Sequence, residues 1–295
     1  MSDATAPAPA PAVGFIGLGQ IGAPMAKRLI GWPGGLTVCD AVPAAPEPFA
    51  EAGAHVAATP AEVAARATVI SIMVRDDAQV ADVISGPDGI LTTAAPGTVI
   101  AIHSTVEADT PAAMAALAAE HGVHVVDAPV SGGFMGAHEG TLAIMLGADD
   151  EAAALVEAPF GAFAGLVAHL GPVGAGTRAK LARNLITFAS YAAVGEALAL
   201  AEAAGVDVAK LGDVVRHSDR ITGGPGAVML RRSAAPLADG DGLKAIFEHT
   251  RALGEKDLDL ALALGEDLGV RLPITAQART DLGAALGVPH PEEQR

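Results

Sequence analysis

The sequence is poor in cysteine, in aromatic residues and in basic residues. Its 295 residues include one cysteine, 3% aromatic residues, and 18 Lys and Arg against 34 Asp and Glu. The lone Cys39 excludes an internal disulfide, so we expect a reducing, cytoplasmic setting. Cys39 itself is interpreted as a small core residue rather than a nucleophile. The net charge of −16 argues against nucleic-acid binding, which usually requires a basic surface.

Long apolar runs are also scarce. No uninterrupted run approaches the ~20 residues of a membrane span, so we expect no membrane-embedded segment. Residues 1–12 are rich in alanine and proline, which is typical of a disordered tail and not of a targeting peptide. The polar residues 289–295 are expected to fray. The 51% hydrophobic content is sufficient for a sizeable core, and the length predicts about two domains.

Two kinds of pattern divide the chain. From residue 13 to residue 173, short β-branched runs alternate with alanine-rich stretches, which predicts a doubly wound, mostly parallel sheet of the Rossmann α/β class. Residues 174–288 instead form long helical patterns and predict an all-helical domain. The predicted strands are 13–16, 36–39, 67–74, 98–102, 123–126, 141–146 and 166–170; the predicted long helices are 177–204, 207–217, 242–268 and 273–286.

The first long helix spans ~42 Å at 1.5 Å per residue and is mostly apolar. Because such a helix usually needs additional burial, we expect a homodimer or homotetramer.

A Gly-x-Gly-x-x-Gly sequence follows the first predicted strand. Gly17 allows the tight turn, Gly19 lets the backbone approach a pyrophosphate, and Gly22 lets the next helix pack close to the strand. The backbone amides of this turn, which also contains Leu18, Gln20 and Ile21, predict a dinucleotide site.

Asp40 ends the second predicted strand, where a carboxylate would accept hydrogen bonds from an adenosine ribose. The same carboxylate would repel a 2′-phosphate, and residues 41–48 contain no arginine to receive one. The sequence therefore predicts NAD in preference to NADP. We expect no metal site.

Three further segments carry candidate chemistry. Ser131, Gly132 and Gly133 follow a predicted strand, where their amides and hydroxyl could bind a substrate carboxylate, although a simple glycine-rich turn is the alternative. Lys180 and Asn184 share one helix face; a part-desolvated Lys180 could act as a general acid or base, or it could extend to solvent. Lys256 could close over the cofactor, or it could join a charge ladder with Asp259.

Together these segments resemble the β-hydroxyacid dehydrogenases, the family that contains 3-hydroxyisobutyrate dehydrogenase and tartronate semialdehyde reductase. Four ordered motifs carry the resemblance over residues 13–286: 14–19 with Pro24-Met25-Ala26, 127–133, 174–184 and 256–258. The resemblance implies a Rossmann domain, a helical domain, and NAD or NADP. It also implies that Lys180 is catalytic, that Asn184 orients the substrate, that Ser131, Gly132 and Gly133 bind its carboxylate, and that Val74, Thr105 and Lys256 lie near the cofactor.

Some positions depart from the family. Ile102 occupies the position, two before Ser104, that usually holds an aspartate, and His103 follows it. His103 could line a pocket or simply end a strand, and we favour the second. Residues 216–224 fall where members of the family vary with substrate, so the sequence leaves the particular hydroxyacid open.

The predicted reaction is the reversible, NAD-dependent oxidation of the 3-hydroxyl of a small carboxylic acid, similar to 3-hydroxyisobutyrate, to the semialdehyde. Lys180 would transfer the proton. Two alternatives stay open: a reductase of imines or other carbonyls with the same fold, and a non-catalytic NAD-binding module. The retained Lys180 argues against both, and the loop 131–133 argues against the first.

Overall fold

The computed structural model describes residues 10–290, which form two compact units that divide within one long helix, between Arg183 and Asn184. The first unit is an α/β sandwich and the second is helical. The sequence-based domain ranges, 13–173 and 174–288, remain predictions.

A nine-stranded sheet forms the centre of the first unit. Its spatial order is β3-β2-β1-β4-β5-β6-β8-β7, and β9 pairs with β8. The six strands from β3 to β6 are parallel, whereas β8 is antiparallel to both β6 and β7. The strands are β1 Val13–Ile16, β2 Leu36–Cys39, β3 His55–Val56, β4 Val69–Ile72, β5 Val99–Ile102, β6 His124–Asp127, β7 Val130–Ser131, β8 Leu142–Gly147 and β9 Ala164–Gly171.

Among the described residues, seven α-helices and a short 3₁₀ helix, Ile90–Thr92, connect these strands, and the helices cover both faces of the sheet with apolar side chains. Along β5, Val99 and Ala101 join one buried cluster, while Ile100 and Ile102 join the other. A parallel sheet buried on both faces accounts for these unbroken β-branched runs. The helices are α1 Gly22–Lys27, α2 Glu47–Glu51, α3 Pro60–Ala64, α4 Asp77–Ser85, α5 Thr110–Ala119, α6 Gly133–Glu139 and α7 Asp150–Gly161.

The structure confirms the predicted fold class and corrects several details. The two-residue strands β3 and β7 and the helices α2 and α3 were not predicted, because such short elements carry too little periodicity to recognise. The strand predicted at 67–74 is shorter, Val69–Ile72. The predicted tails lie mostly outside the described residues.

Among the described residues, the second unit contains the remainder of α8, three further α-helices and a short 3₁₀ helix, Gly224–Val228. The long helix α8 spans Ala175–Ala203, and α9 Val208–Thr222, α10 Lys244–Leu268 and α11 Pro273–Ala285 follow. Glu196 of α8 accepts hydrogen bonds from the Ile274 and Thr275 amides at 2.7 and 2.9 Å, which satisfies free N–H groups at the start of α11. Phe247, Leu286 and Val288 form a small buried cluster.

Helix α8 carries exposed apolar side chains at intervals of three or four residues: Leu181, Leu185, Phe188, Tyr191, Val194 and Leu198. Within residues 10–290 it is also the one helix long and apolar enough to cross a membrane by length and composition. Glu196 interrupts the apolar stretch of this helix, so α8 is not an uninterrupted apolar run of ~20 residues, and the expectation of no membrane-embedded segment stays a prediction. Because core helices of soluble proteins have the same composition, this finding alone does not indicate a membrane protein.

Candidate active site

The glycine turn joins β1 to α1 at the carboxyl edge of the sheet. Gly17 has a φ of 93°, and a side chain there would meet the Met73 carbonyl. A Cβ at Gly22 would meet the Gly17 carbonyl. At Gly19, by contrast, a Cβ would have open space, with no described atom within 4 Å. The first and third glycines are therefore required by the fold, while Gly19 leaves room for a ligand to approach the backbone.

Asp40 directly follows β2, and its carboxylate binds the glycine turn. One oxygen accepts a hydrogen bond from the Leu18 amide at 2.5 Å, and the other accepts one from the Val42 amide at 2.7 Å. These bonds hold the carboxylate beside the turn, at the position where the sequence predicts a ribose. Gln20 is exposed and Ile21 is partly buried at the start of α1. The predicted cofactor residues 17–22 and 40 therefore lie together.

Ser104 fastens the loop after β4 to the loop after β5. Its hydroxyl accepts a hydrogen bond from the Val74 amide at 2.9 Å and donates one to the Val74 carbonyl at 2.8 Å. Val74 is thereby held at the same sheet edge, and the next residue, Thr105, is exposed there. Sequence reasoning treated Ser104 only as part of a motif. A hydroxyl that binds both backbone groups of one residue becomes evident only from the structure.

His103 is buried at the end of β5. Its Nδ1 lies 2.7 Å from the Ala128 carbonyl oxygen and its Nε2 lies 3.0 Å from the Ser71 hydroxyl. Because a carbonyl only accepts, Nδ1 carries the proton and Ser71 donates to Nε2. The ring is packed beside Phe160 and Phe163. His103 thus ties together three strand ends, which agrees with the strand-end interpretation.

Burial lowers the pKa of His103 to about 4 from 6.5. Between these values the unfolded chain binds a proton that the folded chain does not, so the folded state loses stability as the pH falls through this range. We expect the free energy of unfolding to decrease by about 3 kcal/mol from this histidine between pH 6.5 and pH 4.

Urea denaturation as a function of pH measures this loss. The His103→Gln protein should show less acid destabilisation than the wild type, while His121→Gln, at an exposed position, should retain the wild-type slope. Identical slopes for wild type and His103→Gln would show that His103 does not titrate as proposed.

The predicted carboxylate-binding loop follows β6. Ser131 lies in β7, opposite Ala143 of β8, and the glycines begin α6. Gly132 and Gly133 have φ values of 130° and 62°, a region that favours glycine. A Cβ at Gly133 would meet no described atom within 4 Å, so its backbone is open to an approaching ligand.

Lys180 is held against the same segment. Its Nζ donates a hydrogen bond to the Val130 carbonyl at 2.6 Å, and only 9% of the residue is exposed. Burial, reinforced by the nearby Arg183, lowers the pKa of Lys180 below its ordinary value of 10.5. Lys180 is therefore not extended into solvent. A lysine that loses its proton more easily is suited to exchange protons with a substrate.

The remaining two predicted residues belong to the second unit. Asn184 follows Lys180 by one turn of α8, on the same helix face, and is partly buried. Lys256 lies in α10 and pairs with Asp257 at 2.5 Å. Asp259 instead pairs with Arg279 at 2.7 Å, so the alternative of a charge ladder between Lys256 and Asp259 is wrong. Adjacent-residue pairing depends on side-chain rotamers, which helical spacing does not determine.

Sequence reasoning did not identify the side chain of Asp127 as part of the candidate site. Asp127 opens the predicted motif, and the structure shows its side chain fully buried and bonded to the start of α8. The only sequence signal was an aspartate directly after two valines at the end of a predicted strand.

Cys39 is buried, and burial with nearby Asp40 and Glu62 raises the pKa of its thiol to about 11, which excludes a thiolate nucleophile at neutral pH.

Two family models match the chain. Residues 12–171 match the model of the NAD-binding domain of 6-phosphogluconate dehydrogenase. Residues 174–290 match the model of the NAD-binding region of NADP-dependent 3-hydroxyisobutyrate dehydrogenase. The two models are adjacent and cover nearly all of the described residues.

Individual proteins are similar over the same length. An uncharacterised oxidoreductase of Mycobacterium tuberculosis (strain H37Rv) is 55% identical over 284 residues, 96% of each chain. The 2-(hydroxymethyl)glutarate dehydrogenase of Eubacterium barkeri is 33% identical and covers 94% of this chain and 90% of its own. The structure of M. tuberculosis 3-hydroxyisobutyrate dehydrogenase with L-serine aligns with a TM-score of 0.65 at 30% identity, with 92% of each chain covered.

Proposed function

Because the chain belongs to the 3-hydroxyisobutyrate dehydrogenase family of oxidoreductases, we propose that it oxidises the 3-hydroxyl of a small hydroxyacid to the semialdehyde, reversibly and with NAD. The observation that carries this proposal is the buried Lys180, held by the Val130 carbonyl beside the loop 131–133. A lysine with a lowered pKa beside a loop that can bind a carboxylate is the arrangement that proton transfer to a hydroxyacid requires.

The residues at the sheet edge fit a dinucleotide. The open space at Gly19 and the amides at the start of α1 suit a pyrophosphate, and Asp40 lies beside the turn for the adenosine ribose. Val74 and Thr105 lie at the ends of the next two strands along the edge, where the nicotinamide half would extend. When bound, the nicotinamide ring accepts a hydride from the carbon that carries the hydroxyl.

The residues of this chain then have separate roles. The amides of Gly132 and Gly133 and the hydroxyl of Ser131 bind the substrate carboxylate. Neutral Lys180 accepts the hydroxyl proton as the carbonyl forms, and protonated Lys180 returns it in the reverse reaction. Asn184, on the same helix face as Lys180, orients the substrate. Lys256 takes the position of a cofactor-binding residue. Oxidation should therefore accelerate as the pH rises through the pKa of Lys180, and reduction should slow.

The preference for NAD rests on Asp40. Its carboxylate is fixed by the Leu18 and Val42 amides, so it cannot easily turn away from a 2′-phosphate. Charge repulsion at that position disfavours NADP.

The test is the rate of reduced cofactor formation from 3-hydroxyisobutyrate, 3-hydroxypropionate, glycerate, serine and 4-hydroxybutyrate, with NAD and NADP in parallel. We expect one hydroxyacid to react, faster with NAD. A preference for NADP would contradict the cofactor assignment. If no hydroxyacid of the panel yields reduced cofactor while NAD still binds, the proposed oxidation is contradicted. That result would favour an imine reductase or a non-catalytic NAD-binding module.

We also propose that the protein is cytoplasmic and forms a homodimer or a larger homo-oligomer. The exposed apolar residues of α8, among them Leu185 at 70%, Phe188 at 62% and Tyr191 at 66% exposure, support this assembly because a second copy would remove them from water. Sedimentation at several protein concentrations tests it, and a monomer at all of them would contradict it.

A further inference from the structure

Asp127 places a fully buried carboxylate at the carboxyl end of β6. One oxygen accepts a hydrogen bond from the Gly174 amide at 2.7 Å, and the other accepts one from the Thr177 amide at 2.5 Å. Gly174 directly precedes α8, and Thr177 lies in its first turn. Both oxygens are therefore used to bind the start of a single helix, whose unpaired amides and positive dipole end favour a negative charge.

The segment that contains Asp127 binds α8 a second time. The carbonyl of Val130, three residues after Asp127, accepts the hydrogen bond from Lys180, three residues after Thr177. The two contacts lie about one helical turn apart along α8. A shift or rotation of the helix that breaks the first contact must therefore move Lys180 relative to Val130.

Tight backbone packing limits such movement. A Cβ at Gly176, in the first turn of α8, would meet the Met145 carbonyl of β8, and a Cβ at Gly147 would meet the Asp127 carboxylate. The start of α8 is thus pressed against the strand ends with little free space. Its position depends on the hydrogen bonds made there, because no side chain separates the two backbones.

We propose that Asp127 is a positioning residue for Lys180: by binding the first turn of α8, it holds the Lys180 amine at the Val130 carbonyl, in the place where the amine can reach a substrate hydroxyl. The catalytic consequence rests on the proposed function, in which Lys180 transfers the proton. The charged groups near this arrangement include Asp127 itself on β6, Arg183 on α8, which lies near Lys180, and Arg178 on α8, whose guanidinium lies beside Gly174.

The test is the pH dependence of Lys180 acetylation by acetic anhydride, measured by peptide mass spectrometry, in wild type and in Asp127→Asn. The asparagine keeps one acceptor oxygen but places an NH₂ group against an amide N–H, so the first turn of α8 must move. We expect the pKa of Lys180 to rise towards its ordinary value. Turnover of the active hydroxyacid should fall about 10- to 100-fold, the cost of a small misplacement of a catalytic group, with NAD affinity retained.

Asp149→Asn is the matched control. Asp149 also binds the start of a helix, accepting a hydrogen bond from the Ala152 amide at 2.8 Å, but its helix, α7, carries none of the candidate site residues. This variant should lose stability without changing Lys180 acetylation or turnover. If the two variants change Lys180 acetylation equally, Asp127 stabilises the fold without positioning Lys180 in particular, and the proposal is overturned.

A second pair of variants decides the question if Asp127→Asn does not fold. Thr177→Pro removes the amide donor, and proline is tolerated in the first turn of a helix. Thr177→Val keeps that amide and loses only a hydroxyl that is buried without a partner among residues 10–290. The proline variant should reproduce the acetylation shift and the valine variant should not. An unchanged Lys180 profile in a folded Asp127→Asn or Thr177→Pro protein overturns the proposal. Because the acetylation measurement needs no substrate, it tests the position of Lys180 even if the proposed reaction fails. Failure of that reaction is detected independently, with the hydroxyacid panel.

Discussion

Replacing Lys180 with alanine is expected to lower the turnover of the active hydroxyacid by about 10²- to 10⁴-fold, the usual contribution of a positioned acid or base. Lys180 is the buried amine at the Val130 carbonyl, and its pKa is lowered mainly by burial. The variant should still bind NAD, because the predicted phosphate and ribose contacts come from the glycine turn and Asp40. Steady-state kinetics and fluorescence titration with NADH measure the two effects.

Two further variants separate proton transfer from packing. Lys180→Met keeps most of the buried stem but cannot exchange a proton, so it should be as inactive as Lys180→Ala while remaining better folded. Lys210→Ala removes an exposed lysine of α9 and should be fully active. Near-normal turnover by Lys180→Met would mean that the lysine acts through its packing and not through its amine.

The second large effect is expected from Gly19→Ala. The fold offers open space to this methyl group, so the melting temperature should stay near that of the wild type. The methyl group should nevertheless collide with a pyrophosphate that approaches the backbone. Loss of one hydrogen bond to a charged group corresponds to roughly 10- to 100-fold weaker NAD binding. Calorimetric titration with NAD and thermal unfolding measure the two quantities.

Gly161→Ala provides the control for this variant. A methyl group at Gly161 would likewise have no described atom within 4 Å, but this glycine lies at the end of α7, outside the glycine turn. Its NAD affinity should be that of the wild type. Unchanged NAD binding by Gly19→Ala would contradict the assignment of the turn as the phosphate site.

Long periodic elements could be predicted from the sequence. The strands at β1, β2 and β5 and the helices α8, α10 and α11 were located to within a few residues, because burial on both sheet faces and helical periodicity leave clear patterns. The glycine spacing likewise located the turn at residues 17–22. Family resemblance, and not periodicity, supplied the roles of Lys180 and Asn184.

Contacts between distant segments could not be predicted in the same way. The partners of Asp127 lie 47 and 50 residues away, and nothing in the local sequence connects them. His103 was interpreted as a strand-end residue, but its bonds to Ser71 and Ala128 follow from the order of the strands. Such side-chain contacts depend on which strand ends are adjacent, and therefore on the completed sheet.

In the proposed reaction, a hydride moves from a hydroxyacid to NAD. The most direct measurement uses the active substrate of the panel, deuterated at the carbon that bears the hydroxyl, and determines the mass of the reduced cofactor formed by the wild-type protein. Reduced NAD that carries the deuterium is the predicted result. Reduced cofactor without deuterium, or no reduction of NAD by any hydroxyacid while NAD still binds, would contradict the account.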